Sequence, residues 1–356
     1  MLEHVICGHA ALERLVGDVL GALGTPPDIA TEVGRHLVGA NLAGHDSQGV
    51  RRLPEYVGSI DGGLLEPSAR PTLVRETAVS AVIDGQRGFG HFAAAAAIDW
   101  AIGRAEGQGV AMVALGGASH VGRLAHYTER AVAHKLIGLV TTGAAGPGIG
   151  AMPLHGGRTP FLATNPWSIA VPGRGRNFVY DAASSTVAGG RVLVAQASGA
   201  ALPPDSLRTR DGGPTADPAA FSTGGMLWPL GGAALGYKGS GLALAAALVG
   251  GLAMLGAPSP STEGRMEGAF FLVVDPASFG DADRYLTLVE STLDAAAAAP
   301  SALGCERVLV PGERSRRTAA MRSQAGIPLP ETTWAELRRL ADRLRVPVPP
   351  PGAGPA

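Results

Sequence analysis

The sequence predicts an α/β protein, and three observations carry that prediction. Residues 110–146 read as a strand, a glycine-rich turn, a helix and a second strand. An apolar run at 110–115 breaks at Gly116-Gly117, a helical pattern covers about 123–135, and a buried run follows at 137–141. Leu124, Ala131, Val132 and Leu136 share one helix face, with Arg123, Glu129, Arg130 and His134 elsewhere. Second, short apolar runs alternate with helical stretches along the rest of the chain. Third, 356 residues with 46% hydrophobic and 17% charged content can bury a large core, divided into two or three lobes.

Taken in order, residues 10–43 predict two helices separated by Gly24-Thr25-Pro26-Pro27, with Thr25 capping the second and the prolines in its first turn. Residues 44–57, GHDSQGVRRLPEYV, carry two readings. One is a turn in which Asp46 and Ser47 cap the next segment. The other is a binding loop, with Ser47 donating to a ligand and Arg51 or Arg52 clamping a carboxylate. Residues 72–84 predict a hairpin, and the loop GQRGFGHF leads to an alanine-rich helix over 93–106. The stretch 143–150, GAAGPGIG, lacks GxGxxG spacing and is a weak phosphate-loop candidate.

Residues 161–173 predict a strand entered through an Asn165-Pro166 turn, and 177–190 a strand ending at Asp181 before small, hydroxylated residues. Residues 200–236, rich in Gly, Pro, Asp and Thr, read as a long surface excursion. Lys238-Gly239 precedes a helix, a place suited to an anion or simply to a solvated lysine. Residues 240–257 are long and apolar enough to test as a membrane span, but their Ala and Gly content favours a buried helix. A final strand pair is expected near 269–274 and 306–310, then a helix capped by Thr333 with Leu337, Leu340 and Leu344 inward. The tail, 347–356, is expected to be disordered.

Composition also excludes classes of function. A formal net charge of -1 implies no broad basic surface, so neither nucleic acid nor an anionic membrane is an expected partner. The two cysteines, Cys7 and Cys305, lack metal or redox spacing, and the N-terminus lacks a signal pattern, which together suggest a cytoplasmic protein. No HExxH, CxxC or GxSxG occurs, so metal, thiol and serine-hydrolase chemistry is not expected. Of nine histidines, His36, His126 and His134 fall on predicted helices with ordinary roles. His45 and His120 sit in polar, glycine-flanked turns, and an imidazole with an unperturbed pKa of about 6.5 suits proton transfer at an oxygen. The residues alone reach an α/β enzyme with His120 as an acid-base candidate.

Six ordered motifs extend this: GHDSQGVRRLPEYV, GGASHVGRLAHYTERAVAHKLIGLVTT, ATNPWSIAVPG, YDAASSTVAGGRV, GYKGSGLAL and VLVPGE. Over residues 10–345 the chain resembles the type 2 malate/L-lactate dehydrogenase family. That family includes sulfolactate, ureidoglycolate and diketogulonate dehydrogenases and reductases of cyclic imino acids such as piperideine-2-carboxylate. The resemblance implies a malate/L-sulfolactate dehydrogenase-like, non-Rossmann nicotinamide-binding fold with a helical lobe built from both chain ends. The expected division is 1–70 (helical lobe with substrate loop), 71–310 (α/β cofactor-binding and catalytic region), 311–346 (helical segment packing on the first lobe) and the tail. It implies a homodimer or higher homo-oligomer, with the active site near the partner subunit.

By motif, the resemblance makes His120 the proton donor and acceptor, with Ser47 and Gln48 beside the nicotinamide. Arg52, Tyr56 and Thr142 fall on the substrate side. Asp181, Ser184, Gly231, Gly232, Lys238, Gly239, Gly312 and Glu313 fall on the cofactor side. The implied reaction is hydride transfer between NAD or NADP and C2 of a small 2-oxo or 2-hydroxy acid or a cyclic 2-imino acid. Arg314, Arg316 and Arg317 either meet a 2'-phosphate or form a solvated face. Four departures matter: Gln48 replaces the histidine usual in DSHGV, Gly143 the asparagine usual in TN, Arg191 a lysine, and Ala269 a histidine. They leave open a second class, a diverged member using His120 for non-redox proton transfer, or only binding.

Overall fold

The computed structural model describes residues 4–256, 265–350 and 352. The chain opens with β1 (His4–Cys7), a strand with no sequence signal strong enough to predict it, and helices α1 (His9–Gly21), α2 (Pro27–Leu42) and α3 (Leu53–Asp61). The helix α2 does not begin as expected. Pro26 is its N-cap and Pro27 its first residue, while the Thr25 hydroxyl is buried and bonds nothing. The fixed proline φ angles place the helix start one residue beyond the threonine's reach.

The expected hairpin forms as β2 (Thr72–Glu76) and β3 (Ser80–Asp84), and α4 (Gly90–Gln108) ends on Gly109 in the left-handed conformation, φ 81°. Then come β4 (Val110–Gly116), α5 (Ala125–Ala133) and β5 (Ile137–Ala145), as residues 110–146 predicted. Leu124, Ala131, Val132 and Leu136 are all buried, which confirms the inward face. Next are β6 (Trp167–Val171), β7 (Phe178–Ala182) and α6 (Gly189–Ser198).

Residues 200–236 are not a plain surface excursion. Strands β8 (Leu207–Arg208), β9 (Pro214–Thr215) and β10 (Met226–Leu227) form a small antiparallel sheet. Leu202, Leu207 and Leu227 join Val192 of α6 in an apolar cluster, so burial of these few residues overrides the turn-rich composition. A short α7 (Gly232–Leu235) leads to α8 (Tyr237–Gly250), then β11 (Met266–Val274), α9 (Ala282–Ala297), α10 (Glu313–Ala325), β12 (Ile327–Pro330) and α11 (Glu331–Leu344). Residues 306–310 form no strand. This segment runs into Pro311, which has no N–H to give a ladder. The helix α11 starts on Pro330, so Thr333 lies inside its first turn rather than at the cap.

The main sheet has seven strands in the order β2-β3-β4-β11-β5-β6-β7. Only β3 and β4 pair in parallel; β11 is antiparallel to both β4 and β5 and separates them. The strands on either side of α5 are therefore not neighbours, a pairing that local periodicity does not encode. The helix α8 packs on β5 and β11 through small residues, Gly239, Ser240, Ala243, Ala246, Ala247 and Gly250. With the turn after it, Tyr237–Leu255 is the one described helix long and apolar enough to cross a membrane. Only one of its faces is buried; Leu242, Leu248, Leu252 and Leu255 face outward.

A second core joins the chain ends. Antiparallel β1 and β12 pair His4 to Cys7 with Pro330 to Ile327. Leu12, Leu15, Val19, Leu37, Leu53 and Val57 pack with Trp334, Leu337 and Leu340. Part of the expected tail is ordered: Val348 packs on this core and Gly352 N–H donates to Ile6 O at 2.8 Å. Residues 351 and 353–356 lie outside the described residues. Trp334 is 2% exposed. Trp334→Ala is expected to destabilise the fold by about 3–5 kcal/mol, read by urea denaturation; a loss below about 1 kcal/mol would mean the two chain ends do not share a core.

Candidate active site

A cavity of about 390 Å³ opens where the β4–α5 loop, the end of β5, the Asn165-Pro166 turn and the start of β11 converge. Gln48, His120, Thr142, Asn165 and Glu267 contribute side chains to its wall, and Gly116, Gly117, Gly122, Gly143 and Gly268 contribute bare backbone. The volume suits a small ligand with part of a larger one.

His120 is exposed at the wall of this cavity, with its Nδ1 side turned towards the protein. Its Nδ1 lies 2.9 Å from the Tyr56 hydroxyl, which is itself 3.3 Å from His91 Nε2. Nε2 is thus the His120 nitrogen left for a ligand. Burial, with the Arg52 charge adding to it, pushes the His120 pKa from 6.5 down to about 4. Burial holds the Tyr56 hydroxyl well above the usual tyrosine range, so it stays protonated. Tyr56 is 4% exposed and stands behind His120, outside the cavity wall.

The loop carrying His120 is fixed from the helical side. Arg123 N–H donates to His36 Nε2 of α2 at 2.8 Å. Gly122 has φ 74°, and a Cβ there would lie 2.2 Å from His36 Nε2, so this approach needs glycine. Gly90 N–H, at the start of α4, donates to Ser119 Oγ at 3.0 Å.

The polar loop at 44–52 is held as firmly. Asn41 Nδ2 donates to Asp46 Oδ1 at 2.7 Å, Asn41 Oδ1 accepts from Val50 N–H at 2.8 Å, and Arg322 of α10 pairs with Asp46 at 2.7 Å. Arg52 donates to Ser47 O at 3.0 Å and pairs with Glu55. Ser47 packs against Gly190, where a Cβ would lie 2.4 Å from its own Cβ. The Gln48 Oε1 atom is buried and bonds nothing, an acceptor waiting for a donor at the cavity wall.

Thr142 Oγ1 donates to Gly268 O at 3.1 Å, tying β5 to β11 beside the cavity. The neighbouring Gly143 explains one departure from the family pattern: a Cβ there would lie 2.7 Å from Ala247 N of α8. In this chain the helix occupies the space an asparagine would need. Asn165, in the left-handed region at φ 40°, accepts from Ala144 N–H and donates to Ala243 O, which pins the same wall to α8.

A second cavity of about 320 Å³ lies beyond Arg123 on the other side of the His120 loop. Asp181, Gly312, Arg123, Arg314 and His45 line it. Asp181 accepts from Ala125 N–H at 2.7 Å, and burial raises its pKa from 3.8 to about 6. Arg314 has no ion pair among the described residues, whereas Arg316 donates to Asn177 O and Arg317 pairs with Glu313. The two cavities therefore gather Gln48, His120, Thr142, Asp181 and Gly312.

The other anticipated cofactor residues line neither cavity. Ser184 is buried, with Oγ donating to Asn165 O at 2.7 Å. Gly231 caps α7 and Gly232 opens it; Gly239 N–H donates to Leu230 O. Lys238 lies over the Tyr237 ring, 5.9 Å from its centroid. Glu313 is held by Arg317 and Arg307. The 143–150 stretch ends β5 and turns back through an Ala145–Leu162 bridge; no helix follows it, so it offers no helix N-terminus to a phosphate.

Fold and site thus define an α/β protein with an imidazole facing a glycine-walled cavity. The chain belongs to the malate/L-lactate dehydrogenase family, which it matches over residues 8–338. It is 31% identical to L-sulfolactate dehydrogenase from Methanocaldococcus jannaschii, over 93% of this chain and 95% of that protein. The crystal structure of malate dehydrogenase from Entamoeba histolytica superimposes with a TM-score of 0.90 at 25% identity, covering 98% of this chain and 100% of that one. Delta1-piperideine-2-carboxylate reductase from Pseudomonas syringae pvar. tomato gives a TM-score of 0.79 at 27% identity, covering 94% and 99%. The protein is an oxidoreductase of the hydroxy-acid dehydrogenase and reductase class, and that class implies a nicotinamide cofactor.

Two features of the site fit such a cofactor. Gln48 Oε1 is a buried acceptor without a donor, and a carboxamide N–H would satisfy it. The second cavity offers Arg314 to phosphates and Asp181 to ribose hydroxyls, while Arg123 is held by both carboxylate oxygens of Glu129. Sequence reading missed His36, His91 and Arg123; the first two are helical histidines whose long-range partners leave no local signal. Restoring the amide by Gly143→Asn is expected to lower stability by about 1–3 kcal/mol through collision with α8. A urea midpoint equal to that of the unaltered protein would show that α8 yields there.

Proposed function

We propose that this enzyme interconverts a small 2-oxo acid and its 2-hydroxy acid, with His120 exchanging a proton with the substrate oxygen. The observation that carries the reading is the His120 geometry: Nδ1 bonded behind, Nε2 free towards a glycine-walled cavity. The nicotinamide, when bound, supplies or takes the hydride. The chain's own groups do the rest. Arg52, whose charge is felt at His120, exchanges Glu55 for the substrate carboxylate. His120 Nε2 gives its proton to the oxygen in reduction and takes it back in oxidation. Cofactor choice between NAD and NADP turns on Arg314, the one arginine of the three after the Pro311-Gly312-Glu313 turn that lines the second cavity. The retained second cavity favours this redox reading over a diverged, non-redox use of His120.

We further place the enzyme in the cytoplasm, consistent with two free cysteines, and as a homo-oligomer. The outward leucines of α8 and the turn after it support the latter: Leu242, Leu248 and Leu252 are 44%, 50% and 45% exposed.

Two experiments check these proposals. The melting temperature of the protein titrated with NADH and with NADPH should rise with at least one of them. His120→Ala should keep that rise while losing roughly 10²–10⁴-fold in turnover of oxaloacetate, pyruvate or sulfopyruvate. No rise with either cofactor, or unchanged turnover, would sink the reading. Separately, Leu248→Glu should convert the oligomer to monomer in light scattering; a monomeric unaltered protein would remove that proposal.

A further inference from the structure

Behind the cavity lies a cluster of imidazoles that hydride chemistry alone does not require. His36, His91 and His126 come from α2, α4 and α5. The His36 ring centroid is 4.6 Å from that of His91 and 4.4 Å from that of His126. His91 is fully buried, and its Nδ1 has no partner among the described residues. We propose that His91, acting through Tyr56, is a positioning residue that decides which tautomer His120 presents to the substrate. The inference rests on the reading of His120 as the proton-exchanging group.

The argument starts from the Tyr56 hydroxyl, 2.9 Å from His120 Nδ1 and 3.3 Å from His91 Nε2. A hydroxyl has one proton, so if it donates to one ring nitrogen it must accept from the other. With the His91 proton on Nε2, Tyr56 donates to His120 Nδ1, and His120 shows N–H at Nε2. With the His91 proton on Nδ1, Tyr56 donates to His91 and accepts from His120 Nδ1–H, and His120 shows a bare Nε2. The proton positions on the two rings are therefore coupled across 35 and 64 residues of sequence through one oxygen.

Only the second arrangement also satisfies a doubly protonated His120, because Tyr56 then accepts from Nδ1–H while its own proton is already placed. His120 rests neutral with its proton on Nδ1; in reduction its bare Nε2 takes up a proton, passes it to the substrate oxygen, and the ring is neutral again. The Nδ1 proton stays in its bond to Tyr56, and the proton that Nε2 takes up comes from solvent through the cavity. No proton leaves Tyr56 or His91, and the charge balances.

The surroundings keep His91 a tautomer switch rather than a charge. The titratable and charged groups facing it are His36, His120, His126, Arg52 and Tyr56; burial, then His120, His126 and Arg52, holds His91 well below the ordinary histidine range, and burial with the neighbouring histidines and Arg123 does the same to His36. His126 is itself paired with Glu32 at 3.0 Å. His36 has no choice of tautomer: its Nε2 accepts Arg123 N–H, so its proton is on Nδ1.

The test reads the ring directly. In 15N-histidine-labelled protein at neutral pH, long-range 1H–15N spectra report the tautomer of each imidazole, and His120→Asn identifies the His120 signals. The unaltered protein is expected to show one His120 tautomer. His91→Leu, which leaves Tyr56 only Nδ1 of His120 to donate to, should shift the population towards Nε2–H and lower kcat for oxaloacetate with KM retained. His91→Gln, whose amide reaches the Nε2 position, should restore both. In a Tyr56→Phe background, replacing His91 should have no further effect on the His120 signals. Identical His120 signals in the unaltered and His91→Leu proteins overturn the inference, as does an equal His91 effect with and without the Tyr56 hydroxyl. If His120→Asn also keeps full turnover, the underlying reading falls with it; if it abolishes turnover, only this inference falls.

Discussion

The arrangement depends on a hydrogen bond that no substrate touches. His36, deep in α2, accepts the backbone N–H of Arg123 and so fixes the end of the loop that carries His120. The acceptor is an imidazole within a core, and an unpaired buried donor costs about 1–3 kcal/mol, so the loop is not free to leave it. One side of this bond belongs to the core that unites both chain ends, the other to the seven-stranded sheet. The cavity lies at this seam, with Tyr56 arriving from α3, His91 from α4 and Gln48 from the clamped loop after α2.

What was legible in the sequence follows from the range of the forces involved. The run from 110 to 146 gave its strands and helix correctly, because periodicity and glycine breaks are local signals. His120 stood out because a polar side chain in a glycine-flanked turn is exposed to whatever lies outside it. The insertion of β11 between β4 and β5 was not legible, since it depends on a partner more than a hundred residues downstream. Nor were His36 and His91, which on a helix look like any core residue until the rings they meet are known. Thr25 and Thr333 failed as caps for one reason: a proline with preset φ already occupied each helix start. Residues 306–310 have strand-like composition but lie beside Pro311, where no ladder forms.

The departures from the family pattern acquire different meanings in three dimensions. Gly143 is a packing residue, because the backbone of α8 lies against it. Gln48 changes the character of the wall, replacing a titratable ring with a neutral amide whose oxygen is still unmatched. Ala269 lines the cavity and leaves room there, whereas Arg191 is exposed in the first turn of α6, lines neither cavity, and nothing in the structure ties it to the chemistry. The chain thus shares the family's scaffold, while Gln48, Gly143 and Ala269 give its cavity wall a neutral amide and bare backbone or methyl groups.

The position of β11 has a consequence for how the molecule is made. During synthesis β4 and β5 emerge first, but each must pair with a strand that ends at Val274, and the first strand of the chain waits longer still, for β12 at Ile327–Pro330. Neither core can close until most of the polypeptide has left the ribosome. Such long-range pairing is slow and leaves strand edges open meanwhile. The nascent chain therefore spends its synthesis with two unfinished cores, and a truncated product ending before β11 is left with β2-β3-β4 and β5-β6-β7 as two unjoined halves of the sheet.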